Sequence, residues 1–222
     1  MAALQNVTLA ERAYRKLRQR IVQGELPAGR RLLPEELGAA LSISPTPIKE
    51  ALAMLQRDGL IEVEARRGSA VRRFSARDIG ELYDARCMVE ARAITVGLRE
   101  ERVTAAFLTR FAACAALYAE RSGKRSRNDL RLALRHDHDL HTLLTELAAN
   151  RLLSEWHQRL LRQTQLVRVY SLSSFDAGRL EQAGREHAAI LAGLRAGEAH
   201  TAVTALEAHL ATSLGNVLSN YA

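Results

Sequence analysis

Residues 32–71, LLPEELGAALSISPTPIKEALAMLQRDGLIEVEARRGSAV, constrain the architecture of this chain more than any other stretch. A helix is expected from Pro34, a residue suited to a first helical turn, with Leu33, Leu37, Ala40 and Leu41 inward. Ser42-Ile43-Ser44 makes a tight polar turn. Ile48, Ala51, Leu52 and Leu55 then recur at i, i+3, i+4 and i+7, the period of a second helix that Asp58-Gly59 closes. Ile61 and Val63 alternate with Glu62 and Glu64, the period of a strand. Arg66-Arg67-Gly68 reads as a hairpin tip leading to Val71. Upstream, Thr8 and Glu11 have capping-box spacing, Leu9, Ala13, Leu17 and Ile21 mark one helical face, and Gly24 ends it. Three helices and a two-stranded hairpin make a winged helix-turn-helix.

That shape has a physical use. The second helix props the third, whose first residues can enter a DNA major groove while its free N–H groups face phosphate. Ser44, Thr46 and Lys49 occupy that helix start, and Arg66, Arg67 and Gly68 can reach phosphates or a neighbouring groove. The charge agrees: residues 1–74 carry 13 Lys/Arg against 8 Asp/Glu, whereas the remainder carries 19 against 17. Winged helices also serve as protein–protein modules, but the basic tip and the charge asymmetry favour double-stranded DNA.

Beyond Phe74 the pattern is continuously helical. Segments are expected from Ser75 to about Glu100 (one long helix or a broken pair), Thr104 to Arg121, Asn128 to Ala148, Arg151 to Leu172, Phe175 to Ala196 and Glu198 to Tyr221. The chain is therefore expected to be mainly α: a DNA-binding domain over residues 1–74, and an antiparallel bundle of six or seven helices over 75–222. Cys87 and Cys114 lack metal-type spacing and read as buried, reduced thiols. With no apolar leader and charges interrupting every long apolar run, a cytoplasmic protein is expected, with no membrane partner. Trp156 and Tyr170 read as core or interface packing.

The bundle carries one chemically pointed constellation. Asp137 and His141 are four residues apart and share a helix face. His187 and His209 lie nearly equidistant from the turn residue Gly197, so in an antiparallel pair they reach similar height. One carboxylate and three imidazoles converging in a helical core would suit Zn²⁺, Ni²⁺ or Mn²⁺. Spacing alone also allows scattered histidines.

These residues carry a resemblance. Gly24, Leu26, Gly29 and Leu32, then Leu37, Leu41, Ser44, Thr46, Pro47, Glu50, Ala51, Leu52, Leu55, Gly59 and Leu60, resemble in register the DNA-binding domain of GntR-family bacterial transcription regulators. Two departures touch the recognition helix: Pro45 and Lys49 stand where the family usually has arginines. Proline cannot donate and lysine is less directional toward guanine, so the family's base-reading pattern does not transfer. The later segment is similar to the FCD effector domain of the FadR-like branch. Asp137-x-x-Leu140-His141, His187 and His209 match its motif, with Leu140 replacing the usual Phe; Arg86 and Glu90 match its R-x-x-x-E, and Ala148-Ala149-Asn150 its small-small-Asn.

The resemblance implies a divalent metal on Asp137, His141, His187 and His209, and a small organic acid held beside it, with Arg86 and Asn150 as effector contacts. For Arg86 an intramolecular pair with Glu90 is the alternative, and for Asn150 a cap on the following helix. The resulting expectation is a homodimeric, ligand-responsive DNA-binding regulator, a repressor. The competing expectation is a metal-dependent hydrolase or lyase built on the bundle, against which no general base stands within the ligand motif.

Overall fold

The computed structural model describes residues 7–64, 68–122, 124, 126–171 and 177–220. The chain divides into two compact units, Met1–Ser75 and Ala76–Ala222.

The first unit contains α1 (Leu9–Val22), α2 (Pro34–Leu41), α3 (Pro45–Arg57) and an antiparallel pair, β1 (Ile61–Glu64) and β2 (Gly68–Val71). Thr8 caps α1 through the full capping box: its hydroxyl accepts from Glu11 N at 3.1 Å, and Glu11 accepts from Thr8 N at 3.1 Å. The buried stripe of α1 is Ala10, Ala13, Leu17 and Ile21, whereas Leu9, the first helical residue, is exposed. The period admits a step of three as well as four, and burial selects Ala10. In α2, Leu37 and Gly38 are buried, but Leu33 and Ala40 are exposed: Leu33 is the extended N-cap residue rather than part of the helical face. α3 buries Ile48, Ala51, Leu52 and Leu55, the face its spacing demands. The Tyr14 hydroxyl donates to Asp58 at the end of α3. The wing is broadened by the incoming segment, where Gly29 N donates to Val71 O at 2.8 Å and Leu32 N to Ser69 O at 2.9 Å, covering an edge of β2.

Gly38 has a local cause. A Cβ there would lie 2.6 Å from the carbonyl oxygen of Ile43, in the turn whose Ser42 adopts φ 55°. The absent side chain lets the turn fold back onto α2.

The second unit contains α4 (Ala76–Arg99), α5 (Ala105–Ser122), α6 (Arg127–Glu146), α7 (Arg151–Tyr170), α8 (Ala177–Ala196) and α9 (Ala199–Asn220). α4 packs on α6, α7 and α9, α5 on α6 and α8, and α8 on α9. α4 is one unbroken helix. The expected start of α8 at Phe175 lies outside the described residues. Trp156 is 56% exposed, which removes it from the core.

The α8–α9 hairpin turns at Gly197, φ 72°, where Glu198 N donates to Gly193 O at 3.1 Å. Just inside the turn, a Cβ on Gly193 would lie 2.6 Å from Ala202 N and 2.7 Å from its Cα. Backbone cannot yield as a side-chain tip can. Gly193→Ala is therefore expected to destabilise the bundle by about 1–3 kcal/mol, despite alanine's better helix propensity. Denaturant unfolding of both proteins measures this; equal stability would show that the two helices separate freely here.

Candidate metal centre and nucleic-acid interface

Three helices present the four central residues of the bundle. α6 presents Asp137 and His141 one turn apart, α8 presents His187 and α9 presents His209. All four residues are buried, and one potential ligand atom from each lies within 4.8 Å of the others. His141 Nε2 stands 3.2 Å from His209 Nε2, while Asp137 Oδ1 stands 3.4 Å from His187 Nε2 and 4.0 Å from His141 Nε2.

The surroundings fix how these rings are protonated. His141 Nδ1 lies 2.6 Å from Glu90 Oε2, and His209 Nδ1 lies 2.7 Å from Glu186 Oε2. Each Nδ1–H donates to its carboxylate, so each Nε2 carries a lone pair. In the neutral rings the two lone pairs then face one another in a buried interior, an arrangement that repels unless a proton or a metal cation sits between them. Both nitrogens of His187 and Oδ1 of Asp137 are buried without a hydrogen-bond partner among the described residues. Two ligands of one ion, each about 2.1 Å from it, stand roughly 3–4 Å apart. The observed separations fit, and the donor set of three nitrogens and one oxygen suits a borderline transition metal.

The electrostatics agree with ligands ready for a cation. Burial pushes the pKa of His141 down; at His209 burial does the same, with His187 and His141 adding to it. Burial penalises the Asp137 charge, but Arg168 and the nearby His187 outweigh that and hold its carboxyl well below the usual range. Glu90 is likewise held low against its burial by Arg86, His141 and His157.

Sequence reasoning missed most of this supporting layer. Arg168 on α7 donates to Asp137 Oδ2. Arg179 on α8 donates to Glu186 at 3.1 Å. His157, also on α7, donates from Nε2 to Glu90 Oε1 at 2.8 Å and meets the Thr145 hydroxyl through Nδ1 at 3.1 Å. The Tyr118 ring packs edge-on against His187, with centroids 4.8 Å apart. A buried face of α7 containing both His157 and Arg168 was the available signal.

The expected effector contacts part company. Arg86 is 1% exposed, donates from Nε to Glu90 Oε1 at 2.9 Å, and has Nη2 buried without a partner among the described residues. It lines a small cavity beside the cluster, together with Leu134, Asp137, Leu161, Thr164 and Arg168. Asn150 does not join it. Its side chain is exposed and its oxygen accepts from Leu153 N at 3.1 Å, so it caps α7, the alternative its position before a helix allowed.

In the first unit, Ser44, Pro45, Thr46 and Lys49 are all exposed at the start of α3. Ser44 is the N-cap residue, extended at φ −62° and ψ 158°, and its side chain makes no cap bond. Pro45 and Pro47 have no N–H, so Thr46 offers the only amide in the first three helical positions. Gly68 opens β2 at φ 80°, with nothing among the described residues within 4 Å of where a Cβ would stand. Arg66 and Arg67 lie outside the described residues.

The sequence matches the bacterial regulatory proteins of the gntR family over residues 9–71 and the FCD domain over residues 81–212. A gluconate operon transcriptional repressor from Bacillus licheniformis is 39% identical over 75 residues, covering 34% of this chain and 30% of that protein. The HTH-type transcriptional regulator YdhC of Bacillus subtilis is 30% identical over 87 residues, which span only 39% of its length and 39% of this chain. Among solved structures, E. coli McbR/YncC superposes with a TM-score of 0.82 at 18% identity, covering 97% of this chain and all of that one. A GntR transcriptional regulator from Rhodococcus sp. RHA1 gives 0.76 at 26% identity, covering 96% and 99%. Family and relatives are transcriptional regulators rather than enzymes, so the hydrolase or lyase reading falls. Among the described residues no helix is long and apolar enough to cross a membrane. With a winged helix-turn-helix followed by a helical unit that holds a buried His/Asp cluster, this chain belongs to the GntR family of bacterial transcription regulators, in the branch that carries an FCD domain.

Proposed function

We propose that this chain is a homodimeric repressor whose affinity for operator DNA is set by a small organic acid bound beside a divalent metal. Residues 1–74 form the DNA-binding domain, and residues 75–222 form the metal- and effector-binding domain. The carrying observation is the pair of Nε2 atoms of His141 and His209, 3.2 Å apart, each ring oriented by a carboxylate behind it. Asp137 and His187 complete the ligand set, and Zn²⁺, Ni²⁺ and Mn²⁺ suit it. A cation there supplies a Lewis-acidic point for carboxylate oxygens. Arg86 supplies the second anchor for the acid, while Asn150 serves the fold.

The effector controls the operator only by binding two arrangements of the protein unequally. The test starts from a duplex selected out of a randomised pool by the metal-loaded protein. Small hydroxy- and dicarboxylic acids are then titrated into the complex. An acid that binds the protein and shifts its DNA affinity is expected; if no acid that binds shifts it, the proposal fails.

On the DNA side, Ser44, Thr46 and Lys49 at the α3 start and Arg66, Arg67 and Gly68 in the wing make the contacts. Lys49→Ala is expected to weaken operator binding several-fold and to reduce the slope of log affinity against log salt by about one. A slope unchanged in a weakened variant would move Lys49 from phosphate to base contact.

A further inference from the structure

Among the described residues, the charges paired around the cluster balance before any metal is added. Arg86 pairs with Glu90 at 2.9 Å, Arg168 with Asp137, and Arg179 with Glu186 at 3.1 Å. The three guanidinium–carboxylate pairs cancel. Metal-binding imidazoles must be neutral, as the Nδ1–H donations of His141 and His209 allow. His157 donates Nε2–H to Glu90 and meets the Thr145 hydroxyl through Nδ1, and in either protonation form it adds no negative charge. A divalent cation on Asp137, His141, His187 and His209 therefore brings two positive charges that these described pairs leave without an offset.

Uncompensated charge in a buried site is costly, and whatever enters the site is selected by its ability to neutralise it. A second observation points the same way. Arg86 Nη2 is buried, has no partner among the described residues, and lines the small cavity shared with Asp137 and Arg168. The site thus offers an anion two separate points, the metal position and a guanidinium N–H donor that the Glu90 pair leaves unused.

Building on the effector site proposed above, we infer that its ligand is a dianion: a short dicarboxylic acid with one carboxylate directed to the metal position and the other to Arg86 Nη2. A monocarboxylate satisfies one point and leaves the other bare.

The test uses the full-length protein loaded with Zn²⁺ and isothermal titration with malonate and succinate, each against its half-amide, malonamate or succinamate. The members of each pair match in size and differ by one charge. At least one diacid is expected to bind tenfold or more tighter than its half-amide, about the effect of one charge-assisted hydrogen bond. The gap should close in chelator-treated protein and shrink in Arg86→Lys, which keeps the charge opposite Glu90 but loses the guanidinium fork. A half-amide that binds the wild-type protein as tightly as its diacid overturns the dianion while leaving a metal-held carboxylate intact. A gap that persists without metal also overturns it, since the excess charge would lie elsewhere. If none of the four acids binds protein that demonstrably holds Zn²⁺, the metal-held carboxylate falls with it.

Discussion

Replacing His209 with alanine is expected to lower metal affinity by more than 100-fold, because it removes one of four inward ligand atoms and leaves His141 Nε2 facing an empty position. The comparison that gives this number meaning is Glu186→Gln. That change leaves the ring but removes the carboxylate that orients Nδ1 at 2.7 Å, and outer partners of this kind are worth about 10–100-fold. The two variants should therefore rank in that order in competition against a chromophoric chelator. Circular dichroism is expected to show that each remains folded, with the helical signal of the first compact unit kept. Wild-type metal affinity in His209→Ala would place the ion elsewhere.

Arg168→Met should cost about 3–5 kcal/mol in the metal-free protein, because it strands the buried Asp137 carboxylate that Arg168 neutralises. For a unit of this size that corresponds to a melting temperature lower by roughly 6–20 °C. The loss should be smaller in metal-loaded protein, where the cation takes over the compensation, and smaller again in the Arg168→Met/Asp137→Asn double variant. A thermal melt of the three proteins with and without metal measures it. An equal loss with and without metal would mean that Arg168 supports packing alone.

Much of the fold is written in apolar periodicity. The stripe Ile48, Ala51, Leu52 and Leu55 needs no partner to be read, because one helix carries the whole pattern. Asp137 and His141 were readable for the same reason, and His187 and His209 because a single glycine turn fixes the height of both. Arg168, His157 and Glu186 were not. They act through contacts between different helices, Arg168 to Asp137, His157 to Glu90 and Glu186 to His209, and no local spacing encodes which charged residue another helix will meet. The same logic explains Leu9 and Leu33: at helix ends the period tolerates a shift of one residue, and only tertiary packing decides between neighbours. Asn150 shows local chemistry prevailing over a family motif, since a residue before a helix is usefully spent on its free N–H groups.

The inward atoms of Asp137, His141, His187 and His209 are all nitrogen or oxygen, and no sulfur stands among them. Burial raises the pKa of both half-buried thiols, Cys87 and Cys114, with nearby carboxylates adding to the shift, so they stay protonated and sluggish as nucleophiles. The consequence is durability under oxidation. Peroxide or a disulfide-forming oxidant has no ligand here to convert, so it cannot eject the ion by the route open to a thiolate-held metal. With the proposed metal and acid in place, oxidative stress would leave the response to the acid unchanged.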